Sequence, residues 1–214
     1  MFTRISKLFL ILSAIFLVTG SVEAQKLSTL RAEKLLSGLG YWITKADGRA
    51  DASTRHAIMA FQKVEGLKRT GTLNAATAKA LQNASRPRAK YSGNAHIEVD
   101  ITRQVLFVVD DDGRVTHILP VSTGSGKKYF DQGMWQSAKT PRGAMNIGMK
   151  INGVRQAPLG NLYYPMYFAG GVAIHGSNSI PATPQSHGCV RIPRFADKAL
   201  FRMTPLDTLV YVYD

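Results

Sequence analysis

The chain has 214 residues, of which 45% are hydrophobic, which suffices for one domain with a buried core and a small additional module. Its formal net charge is +13, but residues 25–95 carry 13 basic and 4 acidic side chains, whereas residues 96–214 carry 12 and 9. The single cysteine, Cys189, excludes a disulfide within the chain, and the basic first half predicts a polyanionic partner.

The first 24 residues have the pattern of a secretory signal peptide. Arg4 and Lys7 form a basic start, residues 8–18 are almost wholly apolar, and Val22-Glu23-Ala24 ends in a small-residue cleavage pattern. The apolar run is shorter than the roughly 20 residues of a membrane-spanning helix, so we expect cleavage rather than a retained anchor. The sequence therefore predicts an exported protein of the periplasm or cell wall.

The predicted export also indicates which class of polyanion the basic residues bind. Nucleic acid is the usual partner of a basic protein, but an exported protein is not expected to meet it. Peptidoglycan, with stem-peptide carboxylates and attached anionic polymers, fits better. The alternative is a basic surface that is merely solvated.

Residues 25–82 show helical periodicity and predict an all-α module of three short helices. The second helix is expected to begin after Asp51 or Ser53 and the third after Asn74, because these side chains cap helix N-termini. Tyr41 and Trp42 are expected to lie in the core of this module. The apolar stripe of the first helix comprises Leu30, Leu35, Leu36 and Leu39.

Residues 83–94 are polar and aperiodic, with a proline and a glycine, and are predicted to form a linker. From residue 95 to the C-terminus the period is two, which predicts a mainly β domain, a sandwich or barrel, with one helix at 194–203. The predicted strands are 97–101, 105–109, 115–122, 144–150, 171–174 and 208–213.

One glycine-rich segment resembles a phosphate-binding loop but lacks its key residues. Residues 122–128 read STGSGKK, with Val121 where the first glycine is required and Lys128 where the magnesium-binding hydroxyl is required. We therefore expect no nucleotide as partner.

The chemistry is concentrated around Cys189. A thiol is a useful nucleophile only as thiolate, and a reference pKa near 8.5 leaves it mostly protonated, so a base or a positive charge must assist it. His187 lies two residues before Cys189, and His175 lies 14 residues before it at the end of an apolar strand. We predict His175 as general base and His187 as a supporting residue. Gly188 permits an unusual backbone angle next to the nucleophile.

The segments Ile174-His175-Gly176-Ser177 and Ser186-His187-Gly188-Cys189-Val190-Arg191 resemble the signature of the L,D-transpeptidase (YkuD-type) catalytic domain. The resemblance covers roughly residues 96–214 and includes residues 139–143 and 207–212. Residues 27–82 are similar to the three-helix peptidoglycan-binding module that often precedes this domain, although Arg49-Ala50 departs from its pattern.

The resemblance implies an activity and a set of roles. The Cys189 thiolate attacks the penultimate diamino acid of a tetrapeptide stem, D-alanine leaves, and an amine acceptor resolves the thioester. His175 is then the base, and the N–H groups of Gly188 and Cys189 form the oxyanion hole. The resemblance implies no metal or cofactor, and glycan binding by the N-terminal module. The remaining predicted substrate-site residues are Ser186, Arg191, Gly176 and Tyr163.

For Arg191 and for a group of four aromatic residues, the sequence leaves open whether they contact substrate or support the fold. Arg191 faces the substrate carboxylate or forms a structural ion pair. Four aromatic residues before the His175 strand form a wall over the donor stem or pack on the sheet; they are Tyr163, Tyr164, Tyr167 and Phe168.

Other functions also remain. A zinc hydrolase would use His175, His187 and Cys189, with His117 as a further ligand. An L,D-carboxypeptidase would resolve the thioester with water. A wall-binding protein would carry an inert catalytic domain.

Overall fold

The computed structural model describes residues 27–131 and 133–214, so the predicted signal segment lies outside the described residues. Three short helices come first, as predicted: α1 Thr29–Gly38, α2 Ala52–Val64 and α3 Ala75–Asn83. Each begins where a polar side chain accepts the N–H group three residues ahead, and the three caps are Ser28, Asp51 and Asn74. No helix within the described ranges is long and apolar enough to cross a membrane.

The stripe predicted for α1 is only partly correct. Leu36 is fully buried, but Leu30 is 39% exposed. Leu30 lies in the first turn of the helix.

Twelve strands and a fourth helix follow within the described residues. They are β1 His96–Asp100, β2 Val105–Val109, β3 Val115–Pro120, β4 Lys128–Asp131, β5 Met134–Ser137, β6 Gly143–Asn146, β7 Met149–Lys150, β8 Val154–Ala157, β9 Gly160–Ala169, β10 Val172–Ser177, β11 Val190–Pro193, α4 Arg194–Met203 and β12 Leu209–Tyr213.

These strands form two main sheets and a separate hairpin. Sheet A has the order β3-β2-β1-β12-β6, sheet B has the order β11-β10-β9-β7 with β8 also paired to β9, and β4 pairs with β5. The pairs β1–β12 and β10–β11 are parallel, and the remaining pairs are antiparallel. One core joins the inner faces, since Val99 and Leu119 of sheet A cluster with Met166 and Ile174 of sheet B. The predicted mainly β sandwich is confirmed.

Several strands differ from the prediction. The strand expected at 144–150 is two strands, β6 in sheet A and β7 in sheet B, so the chain changes sheets there. The long strand β9 was not predicted. It contains Pro165, and Tyr164 has a positive φ of 50°, so its side chains do not keep a clean alternation.

The helical module packs on the outer face of sheet A. The period of two in β2 sends Leu106 into the core between the sheets and Val105 and Phe107 toward the module, where they cluster with Leu36 and Phe61. Tyr41 is buried against the edge of Phe61, with ring centroids 5.6 Å apart, in agreement with its predicted place in the core. The module and the β domain therefore share a hydrophobic core.

The segment predicted as a linker has no helix or strand after Asn83 but is held at both ends. Arg86 donates to the carbonyls of Val115 in the β domain and Gly38 in the module. Further along, the buried Glu98 carboxylate accepts the N–H groups of Lys90 and Tyr91. This segment is a packed connection rather than a flexible spacer.

Candidate active site

Cys189 lies one residue before β11, at the edge of a cavity. The register of β10 and β11 pairs Ile174 with Val190, which places Cys189 beside Ala173. The Ala173 N–H donates to Sγ at 3.4 Å, and Sγ lies 3.9 Å from the Gly171 carbonyl oxygen. The thiol is half-buried. The same register pairs His175 with Arg191, so the side chains of Cys189 and His175 belong to one face of adjacent strands.

His175 is held in the tautomer that a general base needs. Its side chain is buried, and Nδ1 lies 2.9 Å from the Gly176 carbonyl oxygen. A carbonyl oxygen only accepts, so Nδ1 carries the proton and Nε2 keeps a free lone pair. Burial, with a smaller contribution from Arg191, lowers the pKa of His175 to about 4 despite this hydrogen bond. The imidazole is therefore neutral near pH 7.

The thiol is also neutral at rest. Burial raises the pKa of Cys189, and this outweighs the Ala173 N–H and the Arg191 charge, which both lower it. Within residues 27–131 and 133–214, Sγ forms no hydrogen bond with either imidazole. Nucleophile–base contacts are often looser without substrate and tighten in the complex. The arrangement suits proton transfer during attack rather than a preformed thiolate.

The turn that carries Cys189 is fixed by hydroxyl groups. The hydroxyl of Ser186 donates to the Cys189 carbonyl at 2.5 Å and accepts the Gly188 N–H at 3.0 Å. The hydroxyl of Thr140 donates to the Gly188 carbonyl at 2.6 Å. Gly188 has a φ of 139°, and a Cβ there would come within 3.1 Å of the Lys139 carbonyl oxygen, so only glycine fits without strain.

This turn corrects one predicted role. The Gly188 N–H is engaged by Ser186, so it is not free to serve the predicted oxyanion hole. The Cys189 N–H has no hydrogen-bond partner among the described residues and is the remaining donor at the turn. Ser186 lines the cavity, but its hydroxyl orders the backbone.

A second predicted site residue has a positioning role. Gly176 is not among the residues that line the cavity, and its contact with substrate stays a prediction. A Cβ at Gly176 would lie 2.2 Å from the Asp197 carboxylate, so α4 can pack here only against a glycine. Its carbonyl oxygen orients His175.

The cavity has a volume of about 710 Å³ and lies over sheet B. Cys189 and His175 line it, and the hairpins β4–β5 and β8–β9 supply Tyr129, Asp131 and Arg155. The side chain of Arg191 also lines it and makes no hydrogen bond or ion pair within the described part of the chain. Of the two interpretations of Arg191, contact with a substrate carboxylate is thus favoured over a structural ion pair.

The aromatic residues of β9 divide between site and scaffold. Tyr163 and Tyr167 line the cavity. The Arg194 guanidinium lies 3.4 Å from the Tyr163 ring centroid and orients that ring. Phe168 is buried in the core, and Tyr164 packs against Phe201 of α4.

His187 lies at the mouth of the cavity. Its side chain is exposed, and its ring centroid is 4.6 Å from that of Tyr129 at a steep angle. This partner was not predicted, although a glycine at position 133 between two short segments with aromatic residues, Lys128–Asp131 and Met134–Ser137, could have indicated the hairpin. Arg155, Asp131 and Thr140 were also missed.

The side chains that the zinc alternative requires do not form a ligand set within the described ranges. His117 lies on β3 and packs against Trp42, with ring centroids 4.4 Å apart, and it does not line the cavity. No group of three or more His, Cys, Asp or Glu side chains converges within those ranges.

The segment that resembled a phosphate-binding loop frames the active site. Ser122 forms a pair of backbone hydrogen bonds with Arg191, and Gly124 bridges to Ser186. A Cβ at Gly124 would lie 2.3 Å from the Ala138 carbonyl oxygen. Close packing of backbone explains this glycine.

Comparisons with known proteins identify two domains in the chain. Residues 94–212 match the YkuD L,D-transpeptidase catalytic domain, and residues 28–81 match a putative peptidoglycan binding domain. No match was found among curated proteins.

Two solved structures are similar over most of the chain. An L,D-transpeptidase from Xylanimonas cellulosilytica is 38% identical with a TM-score of 0.80, over 86% of this chain and 92% of that one. An L,D-transpeptidase from Stackebrandtia nassauensis is 26% identical with a TM-score of 0.52, over 87% and 90%. Both domain matches indicate peptidoglycan as substrate and binding partner. The catalytic-domain match covers more than half of the chain, and the chain therefore belongs to the L,D-transpeptidase family.

Proposed function

We propose that the protein is a cysteine L,D-transpeptidase that cross-links or remodels peptidoglycan, with Cys189 as nucleophile and His175 as general base. The single observation that carries this proposal is the placement of both side chains on one face of β10–β11 inside the cavity, with His175 Nε2 free to accept a proton.

In the first half-reaction the thiol gives its proton to His175 Nε2. Rotation about the Cα–Cβ bond of Cys189 brings Sγ toward the imidazole as the donor stem binds. The thiolate attacks the carbonyl carbon of the diamino acid, and the Cys189 N–H donates to the resulting oxyanion. The C–N bond then breaks, the imidazolium returns its proton to the departing amine, and D-alanine leaves a thioester on Cys189.

In the second half-reaction an acceptor amine attacks the thioester. His175 removes the proton from this amine and passes it to the leaving sulfur, so thiol and imidazole end neutral. Because the pKa of His175 is about 4, the base is available throughout the neutral range.

The other cavity residues bind substrate. Arg191 offers a planar guanidinium to a donor carboxylate, and Tyr163 forms one wall. The N-terminal module, with its basic excess, binds the cell-wall glycan. The signal-like N-terminus supports export to the periplasm or cell wall, where nucleic acid and nucleotides are not partners.

The decisive variant is Cys189→Ala. We expect it to abolish release of D-alanine from a tetrapeptide stem while the thermal midpoint stays close to that of the wild type. Mass spectrometry of the products separates transfer to an amine from carboxypeptidase activity, in which water is the acceptor. Alkylation of the thiol should inactivate the enzyme and EDTA should not. Full activity in Cys189→Ala, or binding to sacculi without any change in their muropeptides, contradicts the proposal.

A further inference from the structure

A buried lysine connects the helical module to the β domain. Lys63, in the last turn of α2, is 1% exposed. Its Nζ donates to the carbonyl oxygens of Val121 at 2.8 Å and Gln104 at 3.1 Å, and no carboxylate pairs with it within the described residues. Burying an ammonium group is costly, and the two hydrogen bonds to backbone carbonyls offset part of that cost.

The two carbonyls belong to the backbone that supports the active-site turn. Val121 precedes Ser122, whose backbone pairs with Arg191. The Gln104 side chain bonds both the N–H and the hydroxyl of Thr123, and the Thr123 carbonyl accepts the Ser186 N–H at 2.9 Å. Hydrogen bonds, joined through the covalent structure of Gln104 and Thr123, thus connect Lys63 to Ser186, the residue that orders the Cys189 turn.

A second basic residue of the module reaches the same region. We call residues 178–189, between β10 and β11, the catalytic loop. Arg69 donates from Nη1 to the carbonyl of Ala182 in this loop at 3.1 Å, and from Nη2 to the carbonyl of Thr102 at 3.3 Å. The hydroxyl of Ser122 holds the next residue of the loop through the carbonyl of Thr183 at 2.9 Å.

We propose that Lys63 and Arg69 are positioning residues for catalysis, so that the peptidoglycan-binding module is a structural part of the active site as well as a wall-binding unit. The inference rests on the proposed transpeptidase function for its kinetic consequence only. The module holds the catalytic loop through backbone carbonyls, and this support is needed even for a small soluble substrate that never contacts the module.

The test compares full-length variants on a soluble tetrapeptide. Lys63→Met keeps the length of the side chain and removes its donors, and Arg69→Gln removes the fork at a more accessible position. Lys79→Met and Arg31→Gln are the matched controls, because both residues are exposed in the same module. We expect kcat to fall about tenfold or more in the first pair with KM little changed, since small misplacements of reacting groups are costly. Arg69→Lys, which keeps the charge but has a single donor nitrogen in place of the two that Arg69 uses, should recover part of the loss.

Hydrogen exchange supplies a readout that does not depend on turnover. We expect amides of the catalytic loop to exchange about fivefold faster or more in Lys63→Met and Arg69→Gln, with β6 amides and both controls unchanged. If Lys63→Met fails to fold, Arg69→Gln decides the question alone. Wild-type kcat and unchanged loop exchange in folded variants overturn the inference. An inactive wild type contradicts the proposed function instead, and the exchange data still decide the positioning role.

Discussion

Cationic side chains have hydrogen-bond partners at the interface beneath the helical module but lack them in the cavity, as far as the described residues show. At the interface, Lys63, Arg69 and Arg86 all donate to backbone carbonyls. In the cavity, the guanidinium groups of Arg191 and Arg155 make no hydrogen bond or ion pair with the described residues. A cation paired with the backbone supports the fold, whereas the Arg191 guanidinium, which lines the cavity and has no such partner among the described residues, remains available for a ligand.

The largest effect is expected from the loss of His175 Nε2, which lies free in the cavity. His175→Gln removes Nε2, and we expect kcat/KM for the tetrapeptide to fall by about a thousandfold, within the usual range for loss of a general base. The thermal midpoint should change little. His117→Gln is the control, because His117 also lies on a strand but is half-buried and outside the cavity. Equal losses of kcat/KM in both variants would contradict a catalytic role for His175.

The next effect concerns the unpaired guanidinium of Arg191. Arg191→Gln should raise KM for a tetrapeptide with a free C-terminal carboxylate by about tenfold to a hundredfold, because a charge-assisted hydrogen bond is lost. An amidated C-terminus should abolish the difference between wild type and variant. Arg202→Gln, on the exposed end of α4, should behave as wild type. An unchanged KM in Arg191→Gln would return Arg191 to a structural role.

A smaller effect is expected at Lys63, whose Nζ donates to backbone carbonyls at the interface. Burial, and to a lesser degree Arg69, lowers the pKa of Lys63 to about 7, below its value of 10.5 in the unfolded chain. Between these values the unfolded state binds more protons, so Lys63 makes stability rise with pH above 7, by on the order of 1 kcal/mol per pH unit. Urea unfolding at pH 7, 8 and 9 should show a shallower rise in Lys63→Met. Parallel curves for the two proteins would contradict this assignment.

The smallest effect is expected at Tyr41, which is buried at the same interface. The Tyr41 hydroxyl is buried without a hydrogen-bond partner among the described residues. Tyr41→Phe removes this unsatisfied group and keeps the ring on Phe61, so we expect stability to be unchanged or higher by about 1 kcal/mol. Tyr213→Phe is the contrast, because its hydroxyl donates to the buried Glu98 and its loss should destabilise. Urea midpoints measure both, and a destabilised Tyr41→Phe would indicate a partner for that hydroxyl.

The parts of the fold that sequence predicts well are those determined by neighbours in the chain. The three helices follow from helical period and from caps such as Asp51 and Asn74. In β2, whose side chains alternate between two buried faces, the apolar residues predict the strand. By contrast, β9 is irregular at Tyr164 and Pro165, and β7 has only two residues, so neither leaves a periodic signal.

The same division applies to the site. Cys189, His175 and His187 stand out because of their residue types and close spacing. The capture of the Gly188 N–H by Ser186 depends on a turn that Thr140 holds from 48 residues away. The requirement for Gly176 comes from Asp197 on α4, and support of the catalytic loop comes from α2 and the residues after it. Such contacts require the tertiary structure.

The role of Cys189 as nucleophile can be read from the intact mass of the protein after brief incubation with a tetrapeptide stem and no acceptor amine. We expect an acyl-enzyme whose added mass is that of the stem less D-alanine, localised to Cys189 by peptide mapping and absent from Cys189→Ala. D-Alanine release that persists in Cys189→Ala, or an adduct on another residue, would contradict it.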